Sequence, residues 1–141
     1  MNRELGLWID HKQAYLIWSD NKKVEVIPSN LEPRTHFSGG TRIGGQYNQR
    51  VDSELRYNDR YNQQLQKFYS QVILTLQNAD SILIMGPGEA KLEFQKFLEK
   101  RKALHKRVLK VETADKMTRN QMIAHVRTFF TRLKDNLNHK E

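Results

Sequence analysis

The sequence predicts an α/β fold in which helices cover a mixed β-sheet, and two patterns in its 141 residues support that prediction. Near the start, short runs rich in β-branched and aromatic residues alternate with polar turns, which is typical of antiparallel strands. Later, short apolar runs alternate with segments of helical periodicity, which is typical of parallel strands joined by crossover helices. We interpret residues 1–141 as a single domain, because this length fits one domain with a substantial core.

The chain begins with a predicted three-strand antiparallel meander. Residues 7–9, 14–18 and 24–27 form the strand-like runs, and the turns between them are polar. Pro28 ends the third run. The next segment, about residues 29–49, has little periodicity and contains two glycine pairs. Long irregular segments in compact domains are usually functional or disordered, so we predict a flexible glycine-rich loop here.

A long helix follows the loop. Apolar residues recur at helical spacing from near Arg50 to Gln77, which corresponds to a helix roughly 40 Å long at 1.5 Å per residue. The first half of this helix is polar, and only the second half has a dense apolar face. We therefore expect the first turns to extend away from the core, with the glycine-rich loop at their end.

The second half of the chain alternates strands and helices. Residues 81–85 form a predicted buried strand, since the apolar run is too short for a helix. The turn Gly86-Pro87-Gly88 follows; it lacks the Gly-Lys-Ser/Thr ending of a phosphate-binding loop, so we interpret it as structural. A helix is predicted from this turn to about His105, and residues 108–112 form the last strand.

A final helix is predicted after Thr118, because Thr118 and Gln121 have the spacing of a capping box ahead of an apolar periodic segment. The element order is then βββαβαβα. This order predicts a ribonuclease H-like α/β topology, in which a three-strand antiparallel meander is extended by two parallel strands and three helices pack on the sheet.

The composition limits the classes of function. The net charge of +8 favours polyanionic partners such as nucleic acid. The absence of cysteine excludes disulfides, thiolate catalysis and thiolate metal sites, and no cofactor is predicted. No stretch approaches the roughly 20 apolar residues of a membrane helix, so we expect a cytoplasmic location and no membrane partner. The densest basic run, residues 100–107, fits a solvated helix terminus.

The sequence Gly44-Gly45-Gln46 stands out within the glycine-rich loop, four residues before Arg50. Two glycines allow positive φ angles and a close approach to another molecule, because no Cβ is in the way. Gln46 brings one side-chain amide and one main-chain N–H to the same place. These properties indicate a loop that reaches into a partner.

With these elements in place, the chain resembles the middle domain of archaeo-eukaryotic class-one peptide release factors and its stand-alone bacterial and archaeal relatives. The resemblance runs over nearly the whole chain. It covers the opening meander, the loop with Gly44-Gly45-Gln46, Arg50 on the long helix, the turn Gly86-Pro87-Gly88 with Lys91 and Phe94 beyond it, and the closing strand and helix. It implies a ribonuclease H-like fold and a loop that enters the peptidyl transferase centre.

The resemblance also implies a site and a partner. Gly44, Gly45 and Gln46 would promote attack of water on the ester between nascent peptide and tRNA, and Arg50 would contact ribosomal RNA phosphate. The implied partner is the ribosome, with its ribosomal RNA and peptidyl-tRNA. The chain departs from the family pattern at Tyr47, where a small residue is usual, and it lacks the decoding and factor-binding domains. We therefore expect rescue of stalled ribosomes, hydrolysis of loose peptidyl-tRNA or non-catalytic ribosome binding, since stop-codon recognition would need a separate decoding partner.

Two alternatives from other classes remain open. The first is a non-catalytic RNA- or ribosome-binding module. Its candidate RNA-binding residues are Arg42, Tyr47, Arg50, Arg56 and Arg60. In such a module arginines contact phosphates and tyrosines stack on bases without any chemical step.

The second alternative is a metal-dependent nuclease, because carboxylates on a ribonuclease H-like sheet can hold two divalent metals. Asp10 is the first-strand candidate, and Asp80, Glu112 and Asp115 lie near the ends of later elements. Asp10 and Asp80 also fit ordinary structural positions in turns and at strand ends. No metal site is predicted.

Overall fold

The computed structural model describes the backbone of residues 3–31 and 47–139 and the side chains of residues 3–31 and 59–137. The strands are β1 (Glu4–Ile9), β2 (Gln13–Trp18), β3 (Val24–Pro28), β4 (Ser81–Gly86) and β5 (Val108–Thr113). The helices are α1 (Tyr47–Leu76), α2 (Ala90–Leu98), α3 (Lys102–His105) and α4 (Arg119–His139). None of the helices in these ranges is long and apolar enough to cross a membrane.

The five strands form one mixed sheet in the order β3-β2-β1-β4-β5. β2 pairs antiparallel with β1 on one side and with β3 on the other. β4 lies parallel to β1, and β5 lies parallel to β4. The predicted α/β fold, a three-strand antiparallel meander extended by two parallel strands, is therefore confirmed. The interpretation of the chain as a single domain stays a prediction.

Short polar side chains close the two turns of the meander. The Asp10 carboxylate accepts hydrogen bonds from the backbone N–H groups of Lys12 and Gln13, at 2.8 and 2.9 Å. In the next turn, the Asn21 side-chain oxygen accepts one from the N–H of Lys23 at 2.8 Å. Side chains of this kind replace a backbone acceptor in a tight turn, which explains why polar residues separate the strands.

Helices cover both faces of the sheet, because successive residues of a strand point to opposite faces. On one face, the β1 residues Leu5, Leu7 and Ile9 pack against α1 and α2. The helix residues in that cluster are Phe68, Tyr69, Val72, Ile73, Leu76, Phe94, Leu98 and, from α3, Leu104. On the other face, Trp8 of β1 packs against α4. The other buried residues there are Ile17, Leu83, Met85, Met122, Val126 and Phe130.

The long helix α1 has 30 residues, which makes it about 45 Å long. It begins at Tyr47, three residues before the predicted start, so residues 47–49 are helical rather than part of the loop. Among its described side chains, residues 59–76, the first that packs against the core cluster in sequence order is the partly buried Leu65, and the predicted apolar face of the second half is confirmed. Tyr61 is also buried, with 8% of its surface exposed. The expected projection of the first turns stays a prediction.

The helix predicted to run to His105 is wrong in its extent, because the chain breaks after Leu98 and restarts as α3 at Lys102. Leu98 and Leu104 are both buried, with 0% and 6% of their surfaces exposed. Six residues in one continuous helix rotate the side-chain direction by about 600°, which leaves the two positions about 120° apart around the axis. The break lets both leucines reach the same core cluster, so the structure has a fourth, short helix.

The capping box at the start of α4 is confirmed. The Thr118 hydroxyl accepts a hydrogen bond from the backbone N–H of Gln121 at 3.1 Å, and the Gln121 side chain accepts one from the N–H of Thr118 at 2.9 Å. Two N–H groups that lack helical partners are therefore satisfied reciprocally. This exchange explains why α4 begins directly after Thr118.

Candidate functional site

The predicted catalytic residues Gly44, Gly45 and Gln46 lie outside the described residues, and so does Arg42. Their roles therefore stay predictions. The motif is followed at once by Tyr47, the first residue of α1, so the described structure begins where the predicted site ends. The position of the site relative to the fold is set by the start of this helix.

The other predicted RNA-binding residues lie on the first half of α1. The structure describes only the backbone at Tyr47, Arg50 and Arg56, which is helical. The side chain of Arg60 is exposed and has an interaction partner. Residues 56 and 60 are one helical turn apart, so these two positions lie on the same side of α1. The helix thus brings at least two of the predicted cations to one side.

A hydrogen-bonded group of three side chains beside the second half of α1 was not predicted from the sequence. The Tyr69 hydroxyl donates to the Glu93 carboxylate at 3.2 Å, and Nε2 of His11 lies 3.0 Å from the same oxygen. Burial of Tyr69, with the charge and hydrogen bond of Glu93, raises the pKa of its hydroxyl well above the usual range. Glu93 is on α2 and His11 is in the turn after β1, so this carboxylate joins three elements.

The turn that contains His11 also contacts the chain segment that follows β3. The Ser29 hydroxyl donates a hydrogen bond to the backbone oxygen of His11 at 2.6 Å. It also accepts one from the N–H of Leu31 at 3.3 Å. Residues 29–31 are the first residues of the predicted loop and the last ones described before residue 47. The β1–β2 turn therefore anchors residues 29–31.

The carboxylates considered for a nuclease do not converge. Asp10 follows the end of β1, whereas Asp80 precedes Ser81, which pairs with Glu4 at the start of β1. Six residues of strand separate these two places, which is about 20 Å at 3.3 Å per residue. Asp80 instead accepts a hydrogen bond from the backbone N–H of Arg3 at 2.8 Å. Among the described residues, no group of three histidine or acidic side chains is placed to hold a metal ion.

Glu112 on β5 has two cationic neighbours. Its carboxylate contacts Nε2 of His125 on α4, and Nζ of Lys110 lies 3.3 Å away. Burial alone would raise the pKa of Glu112, but the hydrogen bonds and charges of His125 and Lys110 outweigh it and lower the pKa. Glu112 is therefore a structural ion-pair partner that joins the edge strand to α4.

The Gly86-Pro87-Gly88 turn has structural reasons for its residues. A Cβ at Gly86 would lie 2.2 Å from the backbone oxygen of Ile9, so only glycine fits there. Lys91 is buried, with 6% of its surface exposed, and its ammonium donates to the Gly88 oxygen at 2.5 Å. The lysine thus folds back onto the turn, which supports the interpretation of this segment as a structural turn.

The chain matches no protein-family model and no curated protein. It is similar to the solved structure of Archaeoglobus fulgidus Pelota, at 16% identity over 98% of this chain and 36% of that chain, with a TM-score of 0.49. Thermoplasma acidophilum Pelota is 17% identical over 83% of this chain and 29% of its own, with a TM-score of 0.47. An archaeal translation termination factor, aRF1, is 15% identical over 99% and 42%, with a TM-score of 0.48. The chain spans less than half the length of each of these proteins.

Proposed function

We propose that this chain is a ribosome-associated factor that promotes hydrolysis of peptidyl-tRNA through Gly44-Gly45-Gln46. The observation that carries the proposal is the position of the motif directly before α1. Tyr47 is 14 residues, or about 21 Å, from Tyr61, the first buried residue among the described side chains of α1. A glycine-rich loop at the end of such a helix is suited to reach into a narrow site on a much larger partner.

The proposed chemistry is the attack of water on the ester carbonyl carbon of peptidyl-tRNA. The bond from that carbon to the 3′ oxygen of the tRNA breaks, the peptide leaves as an acid, and the proton from water passes to the departing oxygen. The main-chain N–H of Gln46 would donate to the oxygen that gains negative charge, while the side-chain amide orients the water. One donor of this kind is worth about 10²–10³ in rate in a water-poor site.

Charge supports the choice of a nucleic-acid partner. The net charge is +8, and Arg42, Arg50, Arg56 and Arg60 lie within 20 positions of one another around the motif and along the start of α1. The planar guanidinium group of arginine matches the geometry of phosphate oxygens. We propose that these arginines contact ribosomal RNA and tRNA phosphates and so hold the loop at the ester.

The test is release of labelled peptide from purified stalled ribosome complexes. The native protein is compared with Gln46→Ala and with the matched control Gln49→Ala, which changes the same residue type three positions later. Gln46→Ala keeps the main-chain N–H and removes the side-chain amide that orients the water, so we expect it to slow release by about 10²-fold while co-sedimentation with ribosomes is retained. Gln49→Ala should release peptide at close to the native rate. Equal release by the native protein and Gln46→Ala would contradict the proposal.

A second candidate function is RNA or ribosome binding without catalysis. It is favoured by Tyr47, which is bulky at a position where the family pattern has a small residue. A binding module would co-sediment with ribosomes but release no peptide, and it would lose affinity in Arg50→Ala or Arg56→Ala. Release by the native protein that improves in Tyr47→Ser would instead show that the tyrosine hinders a catalytic loop.

A further inference from the structure

A dense group of cations covers the α2–α3 turn and the short helix α3. Four of these side chains are exposed, namely Lys100, Arg101, Lys102 and Lys106. The only acidic residue between positions 99 and 107 is Glu99. Within the described part of the chain, none of the four makes an ion pair. We refer to these four residues as the basic turn.

Buried residues next to the basic turn keep its charged side chains at the surface. Leu98 and Leu104 are buried on either side of its first three residues, Lys106 follows directly after Leu104 and His105, and the N–H of Arg101 donates to the Leu98 oxygen at 2.8 Å. This arrangement fixes the backbone of the turn against the core. The long side chains between the two leucines therefore extend into solvent with their charges uncompensated. A preformed backbone lowers the entropy cost of presenting several cations to one ligand.

The neighbouring cation Arg107 has a different role. Its guanidinium donates to the backbone oxygens of Gln77 and Ala79 at 3.2 and 2.9 Å. Both residues follow Leu76, the last residue of α1, so Arg107 holds the turn that leaves α1. Between Arg107 and the basic turn lies a groove of about 310 Å³. Its lining residues are Gln77, Arg101, Lys102, Ala103, Leu104 and Arg107.

The groove is at the opposite end of α1 from the Gly-Gly-Gln motif. α1 has 30 residues, so about 45 Å separates Tyr47 from the groove at Gln77. The cations of the basic turn are therefore distinct from the arginines near the motif. One compact anion cannot contact both groups, whereas an extended polyanion can.

We propose that the basic turn docks on the phosphate backbone of RNA, as a second contact remote from the catalytic loop. Folded RNA presents closely spaced phosphates over distances much longer than α1, and cations that neutralise them release counterions. Arg101 adds a planar donor group that fits phosphate oxygens. The assignment of the polyanion as RNA rests on the proposed function, and the surface itself rests on the exposed and unpaired cations.

The test uses the full chain and a mixed-sequence RNA duplex of about 20 base pairs, with binding measured by fluorescence anisotropy between about 50 and 200 mM salt. The variant carries Arg101→Gln, Lys102→Gln and Lys106→Gln together. We expect it to bind the duplex about tenfold more weakly at low salt. The slope of log affinity against log salt should become shallower by about 2 to 3. Its thermal unfolding midpoint should match the native protein, since the three side chains are exposed.

A matched control removes the same charge from exposed lysines elsewhere, through Lys12→Gln, Lys22→Gln and Lys67→Gln. This control should change duplex affinity by less than about twofold.

Equal losses in the two triple variants would overturn the proposal, because net charge alone would then explain binding. Polyglutamate that binds as tightly as the duplex would also overturn it, in favour of an acidic protein partner. A native protein that binds duplex through the basic turn but releases no peptide would refute the proposed hydrolysis and leave this inference standing.

Discussion

Packing between β1 and α4 depends on the absence of a side chain at Gly6. A Cβ placed there would lie 2.2 Å from Cγ2 of Val126, 3.0 Å from its Cγ1 and 3.2 Å from its Cβ. Val126 is fully buried against the sheet, so it has no room to move away. We predict that Gly6→Ala destabilises the protein through this one contact, and that shortening Val126 relieves it.

The distances set the size of the effect. Overpacking by Gly6→Ala should cost about 1–3 kcal/mol, offset by about 0.5–1 kcal/mol from replacing glycine within a strand. Val126→Ala should cost about 2 kcal/mol, because it removes two buried carbons and leaves a cavity. In the double variant only the 3.2 Å approach to Cβ remains, and the new methyl group fills part of that cavity. The double variant should therefore be about as stable as Val126→Ala alone, with a coupling energy of about 1–2 kcal/mol.

The assay is urea unfolding of the native protein, the two single variants and the double variant. Fluorescence of the buried Trp8 and Trp18 reports the transition, and the free energies come from linear extrapolation. The contact would be refuted if the loss of unfolding free energy in the double variant equalled the sum of the two single losses to within about 0.5 kcal/mol.

Three further outcomes are expected from the described contacts. Thr118→Ala removes the acceptor at the start of α4 and should lower the free energy of unfolding by about 1 kcal/mol in urea; an unchanged value would contradict the cap. The pKa of Glu112 is held low by His125 against the effect of burial, so its contribution to stability is present above the unfolded-state pKa and is lost as pH falls. Glu112→Gln should therefore show a shallower fall of Tm than the native protein below about pH 5, and parallel curves would contradict the ion pair. The pKa of Tyr69 is raised by burial and by Glu93, so folding opposes its ionisation and native stability should fall as pH rises above about 10. Tyr69→Phe should be less sensitive to alkali than the native protein, and equal sensitivity would contradict this.

The sheet and its helices followed from local patterns. The β-branched and aromatic runs of β1 and β2, the short polar turns and the capping box each depend on neighbours within a few residues, so the sequence alone indicated them. The parallel pairing of β4 with β5 followed because a helical segment separates two short strand-like runs. The break between α2 and α3 also had a local signal. The six-residue separation of Leu98 and Leu104 does not fit one helical face.

The contacts around Glu93 had no such signal. His11 and Glu93 are 82 positions apart, and a histidine in a polar turn gives no indication of the helix it will meet. Arg107 contacts the turn after α1 across 28 to 30 positions, and no local pattern indicates that contact either. Such contacts are set by the docking of helices on the sheet rather than by spacing along the chain. The catalytic assignment of Gly44-Gly45-Gln46 depends on the motif and the resemblance, and it stays a prediction.

The most direct test of the account is single-turnover release of peptide from stalled ribosome complexes at increasing concentrations of the native protein and Gln46→Ala. A side-chain amide that orients the attacking water predicts a maximal rate lower by about 10²-fold in the variant, with the half-saturating concentration unchanged. A variant with the native maximal rate but a higher half-saturating concentration would show that Gln46 only contributes to binding. That result would contradict the claim that the Gly-Gly-Gln loop acts on the ester.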